Sequence, residues 1–226
     1  MSRNRLIPYV LATLLIVAGC ARSDTQSQPQ AGDKSPNKAT SQTQLALGGT
    51  IPMSDHPMKN VDGSMTSIAA VKGEKGTLVI FTCNHCPYVK AWQDRTVAIA
   101  NQAVKDGFGV IAINPNDPAA YSEDDFEGMV IRARSMKMNY PYVVDATSDV
   151  GRAFSATKTP EIFLFDSDNR LIYHGAVDDN AQNASAVSEH YLQNALEAAK
   201  AGNPIVKPET RSVGCSIKFR AVRSGS

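Results

Sequence analysis

The chain has few of the residues that bind metals. Its 226 residues include only four cysteines and four histidines. A tetrahedral zinc site usually draws its four ligands from a second CxxC or from a pair of histidines. Here the only cysteines outside the single CxxC are Cys20 and Cys215, and the histidines are scattered along the sequence. A zinc site is therefore disfavoured, and we expect no cofactor.

Strong net charge is also missing. The formal net charge is +1, so bulk electrostatics gives no reason to expect a nucleic-acid partner. The chain is 42% hydrophobic, which at this length leaves room for one domain with a substantial core. Partners must be recognised by local features.

The most informative local feature is the sequence CNHCP at residues 83–87, which follows an apolar run and precedes a stretch of helical periodicity. Thiols at the spacing of Cys83 and Cys86 can close into a disulfide. Covalent haem would need histidine directly after the second cysteine, where Pro87 stands instead. A helix N-terminus stabilises a thiolate, because its unpaired N–H groups and its dipole favour negative charge. We predict a redox-active pair.

The neighbours of the two cysteines affect their reactivity. His85 is a titratable cation that would stabilise a thiolate and make the pair more oxidising, unless it is only a solvated loop residue. Pro87 is typical of the first helical position, which would make Cys86 the cap residue. We favour Cys83 as the attacking thiol and Cys86 as the resolving thiol, while the cap position keeps the reverse order open.

The N-terminus has the features of an export signal. Arg3 and Arg5 precede an apolar segment at residues 6–17, and the sequence VAGC at 17–20 resembles a bacterial lipobox. Residues 1–19 are therefore predicted to be a lipoprotein signal peptide that is cleaved off at Cys20, which would be the lipidated first residue of the mature protein. An ordinary signal peptide or an uncleaved anchor is the alternative.

Residues 20–44 are predicted to be the lipidated cysteine and a flexible tether, because this polar stretch cannot bury enough surface to fold. We expect an exported lipoprotein that is anchored to a membrane and faces the periplasm. If the cell has two membranes, Ala21 after the cysteine favours sorting to the outer membrane. Outside the cytoplasm disulfides persist, which suits a CxxC pair.

Residues 45–226 form the predicted domain, and they alternate strands with helices. Its opening, at residues 51–69, is predicted to be irregular, with a turn at Asp62-Gly63. Ser122 with Asp125 resembles a capping box. Strands are predicted at 78–82, 108–113, 142–145, 161–166 and 171–174. Helices are predicted from the periodic positions between Val89 and Val104, which end at Asp106-Gly107, and at 122–138, 150–155 and 186–200. This order predicts an α/β fold with a sheet covered by helices.

The chain resembles the thioredoxin-fold superfamily and, within it, bacterial redoxin or peroxiredoxin-like proteins. The resemblance covers about residues 45–219 and rests on the block VIFTCNHCPYV at 79–89, the Thr159-Pro160 turn and the ending VGCSIK at 213–218. It implies a thioredoxin-like fold, with a central mixed sheet flanked by helices and an N-terminal redoxin-type extension.

The same resemblance implies site residues. Cys83 and Cys86 would be the redox pair, and Pro160 would be a cis-proline that lines the substrate groove together with Thr159 and Pro87. Cys215 is left over. It is either a resolving thiol that reaches the pair from the tail or a buried small apolar residue.

Two departures from the family patterns matter. Thioredoxins place a buried acidic residue in the strand before the CxxC, but residues 77–82 contain no carboxylate. Peroxiredoxins place a threonine three residues before the attacking cysteine, whereas Thr82 stands four before Cys86. Arg152 is the nearest candidate for their peroxide-orienting arginine. Peroxidase activity is therefore the weaker interpretation.

The leading hypothesis is a membrane-anchored thiol-disulfide oxidoreductase that acts on protein thiols or disulfides through a mixed disulfide. It would work with an unidentified redox partner. The alternatives are a thiol peroxidase and a thiol-based metallochaperone that uses Cys83, Cys86 and His174.

Overall fold

The computed structural model of the chain describes residues 45–222. The predicted signal peptide, Cys20 and the tether lie outside this range, and so do residues 223–226. Within the described range, no helix is long and apolar enough to cross a bilayer.

Strands and helices alternate as the sequence predicts. Within residues 45–222, the strands are β1 (Met58–Asn60), β2 (Met65–Thr66), β3 (Thr77–Phe81), β4 (Gly109–Asn114), β5 (Tyr142–Val144), β6 (Lys158–Thr159), β7 (Glu161–Phe165), β8 (Leu171–Gly175) and β9 (Cys215–Ser216). The α-helices of the same range are α1 (Pro87–Lys105), α2 (Phe126–Ser135), α3 (Asp149–Ala153) and α4 (Tyr191–Ala201). Short 3-10 turns lie at Ala69–Val71, Ser122–Asp124 and Ala184–Ala186.

Seven strands form one mixed sheet, in the order β2-β1-β5-β4-β3-β7-β8. Strand β3 is parallel to β4 and antiparallel to β7, and β4 is parallel to β5. Strands β6 and β9 form a separate two-stranded ribbon. The predicted central mixed sheet flanked by helices is confirmed.

The sheet is covered on both faces, because β3, β4 and β7 are buried along their whole length. Side chains of a strand alternate between faces, so β3 sends Leu78 and Ile80 to one core cluster and Val79 and Phe81 to the other. The first cluster contains residues of α1, α2 and α4, whereas Val150 of α3 belongs to the second. The CxxC therefore follows a strand that is buried on both faces of the sheet.

Three local predictions are wrong. The opening at residues 51–69 contains the hairpin β1-β2, whose strands are too short to show alternation. The turn of this hairpin does include Asp62 and Gly63, as the sequence predicts. Helix α2 is capped by Asp125, which accepts a hydrogen bond from Gly128 N, and not by Ser122. The last helix begins at Tyr191 and not at Ala186, and residues 184–186 form a separate 3-10 turn.

We expect Phe154→Ala to destabilise the domain by about 3–5 kcal/mol, the usual cost of removing a buried phenyl ring. Phe154 is fully buried and packs edge-on against Phe81, Phe163 and Phe165. Equilibrium urea unfolding measures the change. Ile131→Ala is the matched control, since Ile131 is 62% exposed. Equal losses for both variants would contradict the core assignment.

Candidate active site

Cys83 and Cys86 lie between the end of β3 and the start of α1. Cys86 is the cap residue of α1, and Pro87 is its first helical residue, as the sequence predicts. The free N–H groups of the first helical turn therefore surround the Cys86 end of the motif. Both cysteines are free thiols with 0% of their surface exposed. Pro87 is exposed beside them.

The Thr159-Pro160 turn faces the two sulfurs. The Thr159-Pro160 peptide is cis, as the resemblance implies. Thr159 contacts both thiols: its Oγ1 lies 3.1 Å from Cys83 Sγ, and its carbonyl oxygen accepts a 3.1 Å hydrogen bond from Cys86 Sγ. The turn and the CxxC thus form one unit. That Thr159, Pro160 and Pro87 line a substrate groove remains a prediction.

Cys215 belongs to the same site. It lies on β9, directly opposite Thr159 of β6. Its Sγ is 2.7 Å from Cys86 Sγ, and the residue is partly exposed. Of the two alternatives left open by the sequence, this position suits a thiol that can react with the pair. Its role as a resolving thiol remains a prediction.

The three thiols differ in acidity. Hydrogen bonds with Cys83 and then with Cys215 lower the pKa of Cys86 to about 4, although burial opposes this shift. The hydrogen bond with Cys86, followed by burial and the nearby Asp124 charge, raises the pKa of Cys83. Burial and then the contact with Cys86 raise the pKa of Cys215 to about 11. In the reduced site, the thiolate charge therefore resides on Cys86.

Asp124 is a buried carboxylate that the sequence analysis missed. Its Oδ1 accepts hydrogen bonds from the backbone N–H groups of Asn84 (2.6 Å) and His85 (3.1 Å). Its Oδ2 accepts one from Asn116 Nδ2 (2.8 Å) and lies 2.6 Å from His85 Nδ1. One carboxylate thus fixes the residues between the two cysteines. Nothing in the acidic run at 123–125 distinguishes this residue, because only the fold turns it inward.

His85 is held in place and is not a freely solvated loop residue. Its ring pairs with Asp124 and stacks on Tyr121, with centroids 3.7 Å apart and planes 7° from parallel. Only 8% of its side chain is exposed. The expected stabilisation of a thiolate by His85 remains a prediction.

The described residues contain one group of side chains that could converge on a metal ion. A donor atom of each of Cys83, His85 and Asp124 lies within 4.8 Å of the others. A metal ion there would compete with the hydrogen bonds that Asp124 already accepts. His174, considered above as a third ligand, pairs instead with Glu161 (2.8 Å).

Glu161 is a second buried carboxylate close to the site. It directly follows Pro160, and it stands opposite Phe81 where β7 pairs with β3. Its Oε2 accepts hydrogen bonds from the backbone N–H groups of Thr157 (2.7 Å) and Lys158 (2.9 Å). Residues 77–82 indeed lack a carboxylate, but the neighbouring strand supplies one. The signal was a glutamate at the head of an otherwise apolar strand.

Arg152, the candidate for a peroxide-orienting arginine, is occupied elsewhere. Its guanidinium donates to the carbonyl oxygens of Thr147 and Arg220, and it pairs with Asp149 at 3.2 Å. These contacts attach the tail to helix α3. They make Arg152 a structural residue.

We expect the reduced protein to retain one thiolate down to about pH 4, because Cys86 has the lowered pKa. The pKa of Cys86 is measured from the ultraviolet absorbance of the thiolate during a pH titration of the Cys20→Ser chain. Cys83→Ala removes the largest cause of the shift, so the pKa of Cys86 should rise towards its ordinary 9.0. Cys215→Ala should raise it less. Titration of every thiol near 9.0 in the unsubstituted site would contradict the assignment.

Comparisons with known proteins agree with this architecture. A family model described as Redoxin matches residues 30–191. The match begins inside the segment predicted to be a tether. A search of curated proteins finds no match.

Several solved structures, in contrast, are similar to this chain. An uncharacterised conserved protein from Geobacillus kaustophilus is 36% identical, with 78% of this chain and 93% of that one covered and a TM-score of 0.72. A hypothetical protein from Sinorhizobium meliloti is 30% identical, with 79% and 97% covered and a TM-score of 0.73. PrxQ from Xylella fastidiosa is similar in fold alone, at 14% identity, 71% and 98% coverage and a TM-score of 0.53. The family match spans more than half of the chain, so this protein belongs to the redoxin family of thioredoxin-like oxidoreductases.

Proposed function

We propose that the protein is a membrane-anchored, extracytoplasmic thiol-disulfide oxidoreductase whose Cys83 and Cys86 alternate between dithiol and disulfide. One observation carries the proposal. Both sulfurs lie at the start of α1 and within 3.1 Å of Thr159, next to the cis peptide. This places two thiols in one site and leaves one of them as a thiolate, the species that attacks in thiol-disulfide exchange.

The reaction runs through a mixed disulfide. A thiolate of the pair attacks one sulfur of a substrate disulfide, and the other substrate sulfur leaves as a thiolate and takes up a proton. The second cysteine of the pair then attacks the mixed disulfide and releases the first substrate sulfur. The substrate gains two electrons, and the protein ends with a Cys83–Cys86 disulfide. The reverse sequence oxidises a substrate dithiol.

The acidity of the pair bears on which sulfur attacks first. The sequence favoured Cys83, whereas in the reduced site the pKa of Cys86 is the lowered one. A thiolate is the attacking species, and a low thiol pKa also makes a good leaving group. Cys86 is therefore suited to open the reaction with a substrate disulfide and to leave when a substrate thiol attacks the oxidised protein.

A thiol peroxidase is the second candidate, and one observation favours it: the acidic Cys86 has Cys215 2.7 Å away. Peroxide would oxidise the Cys86 thiolate to a sulfenic acid, and a thiol would then form a disulfide with it and release water. The spacing of Thr82 and the contacts of Arg152 provide no peroxidase pattern. Thiol-disulfide exchange therefore remains the better-supported function.

In a Cys215→Ser background, which prevents Cys215 from replacing a lost thiol, we expect Cys83→Ser and Cys86→Ser each to reduce the turnover of insulin disulfides, with dithiothreitol as electron donor, to the uncatalysed rate. When dithiothreitol is left out, one of the two variants should accumulate a mixed disulfide with insulin, because the thiol that would release it is missing. Mass spectrometry identifies the attached cysteine. Ser185→Ala, an exposed substitution far along the chain, is the control.

The opposite outcome is equally clear. Full insulin turnover in both variants would contradict the proposal. Rapid peroxide consumption by a protein that does not accelerate insulin reduction would favour the peroxidase.

The membrane anchor is proposed from the lipobox resemblance at residues 17–20 and the polar stretch that follows it. A lipid on Cys20 would hold the redox domain near the membrane on a polar tether, which suits exchange with exported proteins.

We expect Cys20→Ser to move the protein from the membrane fraction to the soluble fraction of a bacterial host and to remove the acyl mass from the N-terminal peptide. Fractionation and mass spectrometry measure both effects. Cys215→Ser should remain in the membrane fraction. A Cys20→Ser protein that stays with the membrane and keeps residues 1–19 would show an uncleaved anchor instead.

A further inference from the structure

We propose that Cys215 is a third redox-active thiol, which forms a disulfide with Cys86 and connects the buried pair to dithiol partners at the protein surface. This inference rests on the proposed function. The additional bond is a disulfide between Cys86 and Cys215, outside the CxxC.

The first argument is access. Cys83 and Cys86 are both 0% exposed, whereas Cys215 is partly exposed. Cys215 is also packed against the small cluster that the two buried cysteines form with Val89. A partner that approaches the folded protein therefore meets Cys215 before it meets the CxxC.

The second argument is that the tail is built to hold Cys215 in this place. Gly214 lets the tail approach Thr159 closely, because a Cβ at this position would lie 2.2 Å from the Thr159 carbonyl oxygen. Beyond the cysteine, Ile217 is buried and donates its N–H to the Thr157 carbonyl oxygen (3.1 Å). The cysteine is thus fixed on both sides.

A second set of contacts secures the end of this segment. Lys218 N donates to Asn116 Oδ1 (2.8 Å), and Asp117 N donates to the Lys218 carbonyl oxygen (2.7 Å). Asn116 also donates to Asp124, the carboxylate that holds the CxxC loop. The tail and the CxxC loop therefore share one hydrogen-bond network. This network holds Cys215 next to Cys86.

The third argument is chemical. When an external thiol attacks a disulfide that includes Cys86, the favoured leaving group is Cys86, since its pKa is lowered to about 4. The sulfur that is attacked must then be the one bonded to Cys86. In a Cys83–Cys86 disulfide that sulfur is buried, and in a Cys86–Cys215 disulfide it is the accessible one.

The steps balance as follows. The Cys215 thiolate attacks Cys86 of the Cys83–Cys86 disulfide, so that the Cys86–Cys215 bond forms and Cys83 leaves and takes up the proton lost by Cys215. No net oxidation occurs in this step. A partner thiolate then attacks Cys215 and expels the Cys86 thiolate. The second partner thiol attacks the first partner sulfur, which releases Cys215 and leaves an oxidised partner and a reduced protein.

Disulfide mapping tests the bond itself, in the full chain with Cys20→Ser so that only the described thiols are counted. After treatment with oxidised glutathione and alkylation, Cys83→Ser should contain an intramolecular Cys86–Cys215 disulfide in nearly every molecule. If Cys83→Ser contains glutathione adducts and no Cys86–Cys215 disulfide, the proposal is overturned, whatever the insulin turnover of the protein.

Kinetics test whether the bond carries electrons. The oxidised protein is mixed with reduced, unfolded ribonuclease as the dithiol probe, and its loss of disulfide is followed. We expect Cys215→Ser to slow this exchange at least tenfold, while Ser216→Ala, the next residue on the same strand, leaves it unchanged. Cys215→Ala and a thermal melt of each variant separate this effect from loss of folding.

The two proposals fail differently. If Cys215→Ser still forms a reversible Cys83–Cys86 disulfide and exchanges at the rate of the parent chain, the role of Cys215 is contradicted and the oxidoreductase stands. If neither chain forms a reversible Cys83–Cys86 disulfide, the proposed function itself is contradicted.

Discussion

The contact between residue 159 and the sulfurs is the constraint on which the rest of the site depends. Thr159 touches Cys83 through its hydroxyl and Cys86 through its carbonyl oxygen, and it pairs with Cys215 across the β6-β9 ribbon. Three distant parts of the chain thus meet at one residue. If this residue moved, Cys83 and Cys86 would both lose the contacts that they make with it.

Buried carboxylates hold this meeting point together. Asp124 fixes the CxxC loop through two backbone N–H groups, and Glu161 fixes the turn before Thr159 in the same way. Burying a carboxylate is costly unless its oxygens are hydrogen bonded, and both residues are satisfied and paired with a histidine. The site therefore combines a rigid polar frame with thiols of unequal acidity, as exchange chemistry needs.

The sequence predicts those parts of the molecule that follow from local patterns. The buried strands β3, β4 and β7 appear as apolar runs, and Pro87 marks the start of α1 because proline suits the first helical position. The short hairpin β1-β2 is too brief to show a pattern, and the cap of α2 was misplaced by three residues, from Ser122 to Asp125. Asp124 accepts hydrogen bonds from residues 40 and 39 positions away, so no local signal identifies it, whereas Glu161 stands out as a glutamate at the head of an otherwise apolar strand. The position of Cys215 beside Cys86 likewise depends on a contact across 129 residues.

The central claim is that Cys83 and Cys86 form a reversible disulfide. Equilibration of the Cys20→Ser chain in glutathione buffers, with mass-spectrometric counting of the free thiols at each cysteine, tests this most directly. The account predicts a single two-electron transition in which Cys83 and Cys86 lose their free thiols together. A potential of about −120 to −180 mV would indicate an oxidase or isomerase, and one of about −270 mV a reductant. Thiols at Cys83 and Cys86 that remain free across the whole range would contradict the account.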